Sequence, residues 1–287
     1  MSLRNSSESH SLNIAEQDLV GKHALVTGAS RGIGRAIALH LASRGASVIG
    51  TCSSEASLHH IESLAETVSN AYKACGTNAG PFVKGLPANL LAAETPQNML
   101  DAVKREFGGK LDILVNNAAY DDFRAIGELD AEYIHRSLLG NIQTLALSVD
   151  LLYREAAFNP NSRIINIGAE LTRGSLPHNS FGIFIATKAA AESLTRTWAD
   201  VFGKHPSMAG TTVNVLLVGA TDTEAFLKGV PEEAAKAVRA GIAEKSSLSR
   251  LGTPEDVADV VGLLTTERSR WITGSVVGTN GGSVKVL

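Results

Sequence analysis

Aromatic rings are scarce in this chain and unevenly spread. Phe, Tyr and Trp make up 5% of 287 residues, and none of the four tyrosines lies beyond Tyr153. A pocket that grips a large planar ligand by stacking is therefore not indicated, although Phe181, Phe184 and Phe226 are candidates to cluster. Cysteine is scarcer still. Cys52 and Cys75 form no CxxC pair, so two free thiols are expected, Cys52 as a small residue lining a pocket. An excess of either charge is also missing: 26 Lys and Arg face 29 Asp and Glu, with no basic stripe, which argues against a nucleic-acid partner. No apolar run approaches the ~20 residues of a membrane helix, so no membrane role is expected. Residues 1–17 are rich in Ser, Asn and Glu and lack the apolar stretch of a secretory signal. They predict a mobile tail on a cytoplasmic chain. The terminal Val284-Lys285-Val286-Leu287 is not a peroxisomal address.

What is present is a regular alternation. Short apolar strand candidates occur at 23–27, 47–51, 80–86, 111–116, 163–167, 212–217 and 275–278. Between them, apolar residues recur at helical spacing over 34–44, 58–75, 95–107, 130–158, 187–202, 224–243 and 254–264. Buried strands alternating with helices predict an α/β fold of Rossmann type, a doubly wound parallel sheet with helices on both faces. No repeat and no long polar linker divides the chain. With 44% hydrophobic residues, 18–287 is read as one domain.

The strongest local motif is Thr27-Gly28-Ala29-Ser30-Arg31-Gly32-Ile33-Gly34, between the first strand and the first helix. Glycines there permit a tight turn and a close backbone approach to a pyrophosphate. The helix N-terminus adds free N–H groups and the positive end of its dipole. The turn therefore predicts a dinucleotide site. An acidic residue that selects NAD would stand at the end of the second strand, but that stretch reads Gly50-Thr51-Cys52-Ser53-Ser54, with no carboxylate before Glu55. Hydroxyls at that point, with Arg31 nearby, suit a ribose 2′-phosphate, so NADP(H) is expected.

The TGxxxGIG turn, Asn116-Asn117-Ala118 after the fourth strand and Lys188 on a later helix together resemble a classical short-chain dehydrogenase/reductase. So do Leu248-Ser249-Arg250-Leu251-Gly252-Thr253-Pro254-Glu255-Asp256-Val257-Ala258, Ile272-Thr273-Gly274 and Asn280-Gly281-Gly282. The chain is most similar to the 3-oxoacyl-carrier-protein reductase type, over roughly residues 20–285. The resemblance implies a seven-stranded sheet, a cofactor across its carboxyl edge, a small-molecule substrate and a homo-oligomer, dimer or tetramer. It also implies roles. Gly28, Ser30, Arg31, Gly32, Ile33 and Gly34 would hold the phosphates, and Ser53 would meet the ribose phosphate. Asn89 and Leu90 would flank the adenine, and Asn117 would lie along the cofactor. Thr221 and Thr223 would stand at the carboxamide end, after a Val218-Gly219 pair where the family usually has Pro-Gly. Asn141 would hold a water beside the catalytic Lys188, which also bonds the ribose.

The chain departs from the family at the chemical step. The family's Tyr-x-x-x-Lys reads Phe184-Ile185-Ala186-Thr187-Lys188, and the serine position after the fifth strand is Ala169. Lys188 is the only lysine between Lys110 and Lys204, which anchors the register. A phenyl ring has no proton to give and a methyl bonds no oxyanion. Losing a general acid costs ~10²–10⁴ in rate, and losing an oxyanion donor ~10²–10³ more, not strictly additive. Candidate replacements are Tyr120, Glu170 and His178, with Asp121, Asp122, Arg124, Ser175 and Ser180 behind them. Three functions follow: an NADP(H)-dependent oxidoreductase with an altered site; a non-redox isomerase, dehydratase or cyclase on the same scaffold; or a catalytically silent NADP-binding subunit. The substrate would be met by the loops after Asn117 and Ala169 and by 224–247 as a lid.

Overall fold

A computed structural model describes residues 12–77, 80–174, 180–227 and 230–285. The apolar runs form β1 (His23–Val26), β2 (Ser47–Cys52), β3 (Val83–Pro87), β4 (Leu111–Asn116), β5 (Phe158–Ala169), β6 (Thr212–Val218) and β7 (Val276–Thr279). All seven pair in parallel, in the order β3-β2-β1-β4-β5-β6-β7. The chain steps outward from β1 to β3, then crosses back to lay β4 against the other side of β1. The carboxyl ends of β1 and β4 part there, which is where an open α/β sheet offers a crevice. The expected doubly wound Rossmann architecture is the one observed.

Helices cover both faces. On one lie α1 (Gly32–Ser43), α2 (Leu58–Ala74) and α8 (Pro254–Thr265); their Ile37, Leu41, Ile61, Leu64 and Val261 pack on Ala24 and Val26 of β1. On the other lie α3 (Thr95–Phe107), α5 (Thr144–Arg154) and α6 (Gly182–Gly203), where Leu100, Val103, Leu152 and Phe202 pack on Leu25, Leu114 and Ile164. Alternate residues of β1 thus serve opposite cores, as the two-residue period of a strand requires. Caps set several ends. Thr253 and Asp256 form a capping box on α8, and α3 stops on Gly108 at φ +62°. No described helix is long and apolar enough to cross a membrane.

The elements depart from expectation in places that bear on function. The helix expected over 130–158 is broken into α4 (Ala131–Leu138), a π-helical turn (Leu139–Gln143) and α5, after which the chain enters β5. The wide turn contains Gly140 and Asn141; a Cβ on Gly140 would lie 2.8 Å from Cβ of Tyr120, so glycine lets the β4 loop pack there. The helix expected from 224 begins only at Glu232, as α7 (Glu232–Lys245). Pro231 caps its start and disfavours helical backbone before it, and Leu227 sits at φ +59°. The tail also ends sooner than predicted. Residues 1–11 lie outside the described residues, but Leu12 and Ile14 pack on the core. Ala15 N–H and the Gln17 amide both donate to the Ser43 carbonyl, at 3.1 and 2.7 Å.

This docked segment leads to Asp18, which pairs with Arg44. The buried guanidinium donates to both Asp18 carboxylate oxygens (2.8 and 2.5 Å), to Gly262 O (2.8 Å) and to Thr265 Oγ1 (3.1 Å), joining the N-terminal segment, α1 and α8. Arg44 holds the Asp18 carboxyl below the usual carboxylate range. Arg44→Met is expected to lower unfolding free energy by about 2–3 kcal/mol in urea titration. Because the folded pKa is the lower one, the Asp18 contribution is complete above the unfolded value and is lost as pH falls through the folded one. The gap between wild type and variant should therefore narrow on acidification; a gap that widens would refute the pair as its source.

Candidate active site

The crevice is built around one threonine and one asparagine. Thr27 Oγ1 accepts the backbone N–H groups of Asn117 (2.9 Å) and Ala118 (3.0 Å). In return the Asn117 amide donates to the carbonyls of Thr27 (2.9 Å) and Gly28 (3.2 Å). Thr51 completes the clasp, its hydroxyl accepting from Gly28 N–H at 3.0 Å. Gly28 and Gly32 adopt φ of +68° and +53°. At Gly34 the reason for glycine is space: a Cβ there would stand 2.1 Å from the Gly28 carbonyl oxygen and 2.5 Å from the Asn117 amide nitrogen.

A groove of about 630 Å³ runs over this crossing. It is lined by Gly28, Ser30, Arg31, Gly32, Ile33 and Gly34 from the turn, by Ser53 from the end of β2, by Asn89 and Leu90 after β3, by Asn117 after β4 and by Thr223 after β6. The expected cofactor residues are thus brought together, with two exceptions. Lys188 lies in a cavity behind the groove. Thr221 turns away: its hydroxyl donates to Gly219 O (3.0 Å), and it lines a separate cavity beyond the 219–223 loop. Residues two apart in extended backbone would share a side, so the chain turns between them: Thr223 lines the groove and Thr221 the other cavity. Cys52 lines the groove as expected, but its thiol donates to Ser54 O and burial pushes its pKa up, so it is no nucleophile.

Lys188 sits on α6, one turn after Phe184. Its ammonium donates to Ile167 O at 2.7 Å and stands 5.5 Å from the centre of the Phe184 ring. Burial lowers its pKa from 10.5 to about 8. The cavity beside it, about 40 Å³, is lined by Asn116, Asn141, Thr144, Ser148 and Asn166. That exceeds the ~10–15 Å³ a water needs, and the walls are polar enough to hold one. Asn116 donates to Asn166, and Asn166 to Thr195 of α6, both at 2.8 Å, which ties the Lys188 helix to β4 and β5. Asn141 and Lys188 share this cavity as expected, but the Asn141 side chain is already engaged. It accepts from Tyr120 N–H (2.7 Å) and donates to Tyr120 O (3.0 Å), stitching the β4 loop to the π-helical turn.

The candidate replacement acids divide. Tyr120 lines the groove, not the lysine cavity; its hydroxyl donates to Asp122 (3.3 Å) and the Arg136 guanidinium lies 5.4 Å from its ring. Burial and then Asp122 raise its pKa. Glu170 is not at the lysine cleft. Leaving β5, its side chain points opposite to that of Ala169, towards Gly219, and takes the Ser283 hydroxyl. His178 and Ser175 lie outside the described residues. The expected phenylalanine cluster forms with a different third member: Phe123 packs on Phe181 (4.9 Å) and edge-on to Phe184 (5.3 Å), whereas the Phe226 backbone closes a turn onto Thr223. Thr27, Thr51, Arg136 and Phe123 were not foreseen. Only Thr27 carried a signal, its place directly before Gly28. Among the described residues no cluster of three or more His, Cys, Asp or Glu is able to hold a metal ion.

Comparison with known proteins agrees with this geometry. The family model described as enoyl-(acyl carrier protein) reductase matches residues 28–283. The short-chain dehydrogenase/reductase FrzI of Cladobotryum sp is 34% identical over 270 residues, covering 93% of this chain and 98% of its own. The 3-oxoacyl-[acyl-carrier-protein] reductase FabG of Escherichia coli (strain K12) is 32% identical over 266 residues, covering 93% and 98%. Among solved structures, a short-chain dehydrogenase from Burkholderia cenocepacia J2315 in complex with NADP superposes with a TM-score of 0.78 at 30% identity, covering 93% of this chain and 99% of that one. The angucycline C-6 ketoreductase LanV with bound NADP does so at 0.81 and 29%, covering 94% and 98%.

Two measurements test the buried amine. The Cε resonance of Lys188 should titrate with a midpoint near pH 8, against 10.5 for an exposed lysine. Lys188→Met should also be more stable than wild type at neutral pH, by about 2–3 kcal/mol. The sign follows from linkage: between about 8 and 10.5 the unfolded chain binds more protons, so wild-type stability rises with pH and the variant's advantage fades. An advantage that does not change with pH would refute the assignment.

Proposed function

Since this chain belongs to the short-chain dehydrogenase/reductase family, we infer that it is an NADP(H)-dependent oxidoreductase acting on a small organic substrate, a carbonyl, imine or alkene, without the family's usual serine and tyrosine. The observation that carries this reading is the crossing at Gly28, Gly34 and Asn117, where α1 begins so close to the Gly28 carbonyl and the Asn117 amide that any side chain on Gly34 would displace the phosphate-binding turn. The groove fits the phosphorylated cofactor. Arg31 and Ser53 face it at the β2 end, while Glu55 is not among its walls. NADP-bound relatives of the same fold support the choice.

When bound, the nicotinamide supplies or accepts hydride. The residues of this chain do the rest. The turn and the N-terminus of α1 would hold the pyrophosphate, Arg31 and Ser53 the ribose phosphate, Asn89 and Leu90 the adenine, and Asn117 the middle of the cofactor, all of them lining the groove. Thr223 would reach the carboxamide end, and Lys188, in the cavity behind the groove, would meet the second ribose where the two spaces adjoin at Leu90 and Ala118. Lys188, titrating near neutrality and backed by a polar cavity, is the group able to hold and move a proton at Nζ. Phe184 screens it with an apolar ring, on which Phe123 packs edge-on. A substrate that already carries positive charge or an activated double bond suits this arrangement better than a simple ketone, because nothing at Ala169 or Phe184 polarises an oxygen.

Deuteride transfer is the test. Protein incubated with NADPH deuterated at the transferable position and a metabolite extract should label a product, and Gly34→Asp should not. That variant should also raise the Kd for NADPH more than about tenfold in a fluorescence titration. A converted but unlabelled product would replace the redox reading with isomerase, dehydratase or cyclase chemistry. In addition, the double substitution Ala169→Ser with Phe184→Tyr should raise reduction of an activated ketone by ~10²–10⁴, followed as NADPH oxidation. No gain would mean that the groove does not present a carbonyl to these two positions.

A further inference from the structure

A second cavity of about 210 Å³ lies beyond the 219–223 loop, between that loop, α7, α8 and the segment that follows β7. It shares no lining residue with the nucleotide groove: Thr221 belongs to one and Thr223 to the other. Ile242 of α7 and Val257 and Val260 of α8 give it an apolar side, with Asp256 of α8 beside them. At its top is Glu170, a carboxylate only 9% exposed. One carboxylate oxygen takes the Ser283 hydroxyl, and among the described residues no cation pairs with it. The arginine that lines the same cavity, Arg250, is committed elsewhere: its guanidinium donates to both oxygens of Asp256, at 2.6 and 2.8 Å.

A buried carboxylate facing apolar walls is costly unless a positive charge joins it. The chain provides the anion and a chamber with an apolar side, and leaves Glu170 without a cation. We propose that this cavity binds a small aliphatic or alicyclic amine in its ammonium form, anchored by Glu170. The ammonium donates to the carboxylate, and the hydrocarbon lies against Ile242 and Val260. The volume sets the size: a cavity of ~150 Å³ accepts benzene, so a six-carbon ring with one amino group fits. This site does not depend on the redox reading, since it is defined by binding and lies outside the groove.

Calorimetric titration of the full chain with cyclohexylamine, against cyclohexanol as a neutral isostere, tests the proposal. The amine should bind at least about tenfold more tightly than the alcohol. Glu170→Gln keeps the size and the Ser283 contact and should erase that preference. Val260→Phe fills the chamber and should abolish binding of both compounds; melting curves confirm that each variant folds. The preference must persist in protein saturated with NADPH. No amine binding, equal binding of amine and alcohol, an undiminished preference in Glu170→Gln, or loss of the preference when NADPH is present would each overturn the assignment.

Discussion

The Asn117 side chain, clamped between the carbonyls of Thr27 and Gly28, fixes how far β1 and β4 open at their carboxyl ends. The other features of the site take their position from that distance. Gly34 must bring its Cα against the Gly28 carbonyl for α1 to begin where it does, so the helix N-terminus and the clamp set one geometry together. Thr27 adds the reverse connection, accepting two N–H groups from the β4 side. Widening the gap would break bonds in both directions, and such buried polar networks are costly to satisfy only in part. The groove therefore stands ready-made, which lowers the ordering cost of binding.

Behind the clamp the chain keeps a charge that is costly to bury. Lowering the Lys188 pKa from 10.5 to about 8 corresponds to about 3 kcal/mol of preference for the neutral amine. A lysine kept only for stability would not be placed there, because an apolar residue of similar size would relieve the burial. Two features make the site specific for an amine: the Ile167 carbonyl it bonds, and the polar cavity shared with Asn141. Phe184 then alters what the amine is for. Beside a phenol, lysine tunes another group's proton. Beside a phenyl ring, it is the nearest group with a proton of its own.

The strands were legible because seven short apolar runs, separated by helical periods, leave little choice but a parallel sheet, and the residues of the Gly28–Gly34 turn were legible because only a few backbone shapes let a chain meet a phosphate. What escaped the sequence depended on distant parts. The break in the helix expected over 130–158 comes from hydrogen bonds between Asn141 and Tyr120, which belong to different elements. Leu12 and Ile14 looked like parts of a polar tail, since two apolar residues among serines carry no periodicity until a core surface is there to receive them. Thr221 and Glu170 belong to the expected turns but line the cavity beyond the 219–223 loop, because the path of a loop, and so the side each residue faces, is set by packing that no local pattern records.

That path makes the 219–223 loop a wall between two chambers. The family's usual Pro-Gly would stiffen it through the proline ring, which Val218 lacks. Stiffness must then come from packing. Gly219 is enclosed, for a Cβ there would lie 2.8 Å from Asn280 and 3.3 Å from the Glu170 carboxylate, and its N–H donates to Thr279 O at 3.1 Å. The loop that presents Thr223 to the groove thus leans on Glu170, Thr279 and Asn280 of the second chamber. Any change that moves the Glu170 carboxylate moves the surface on which Gly219 rests, and with it the far wall of the nucleotide site. The carboxylate that stands away from the lysine cavity is, by the same geometry, a support for the loop that carries Thr223.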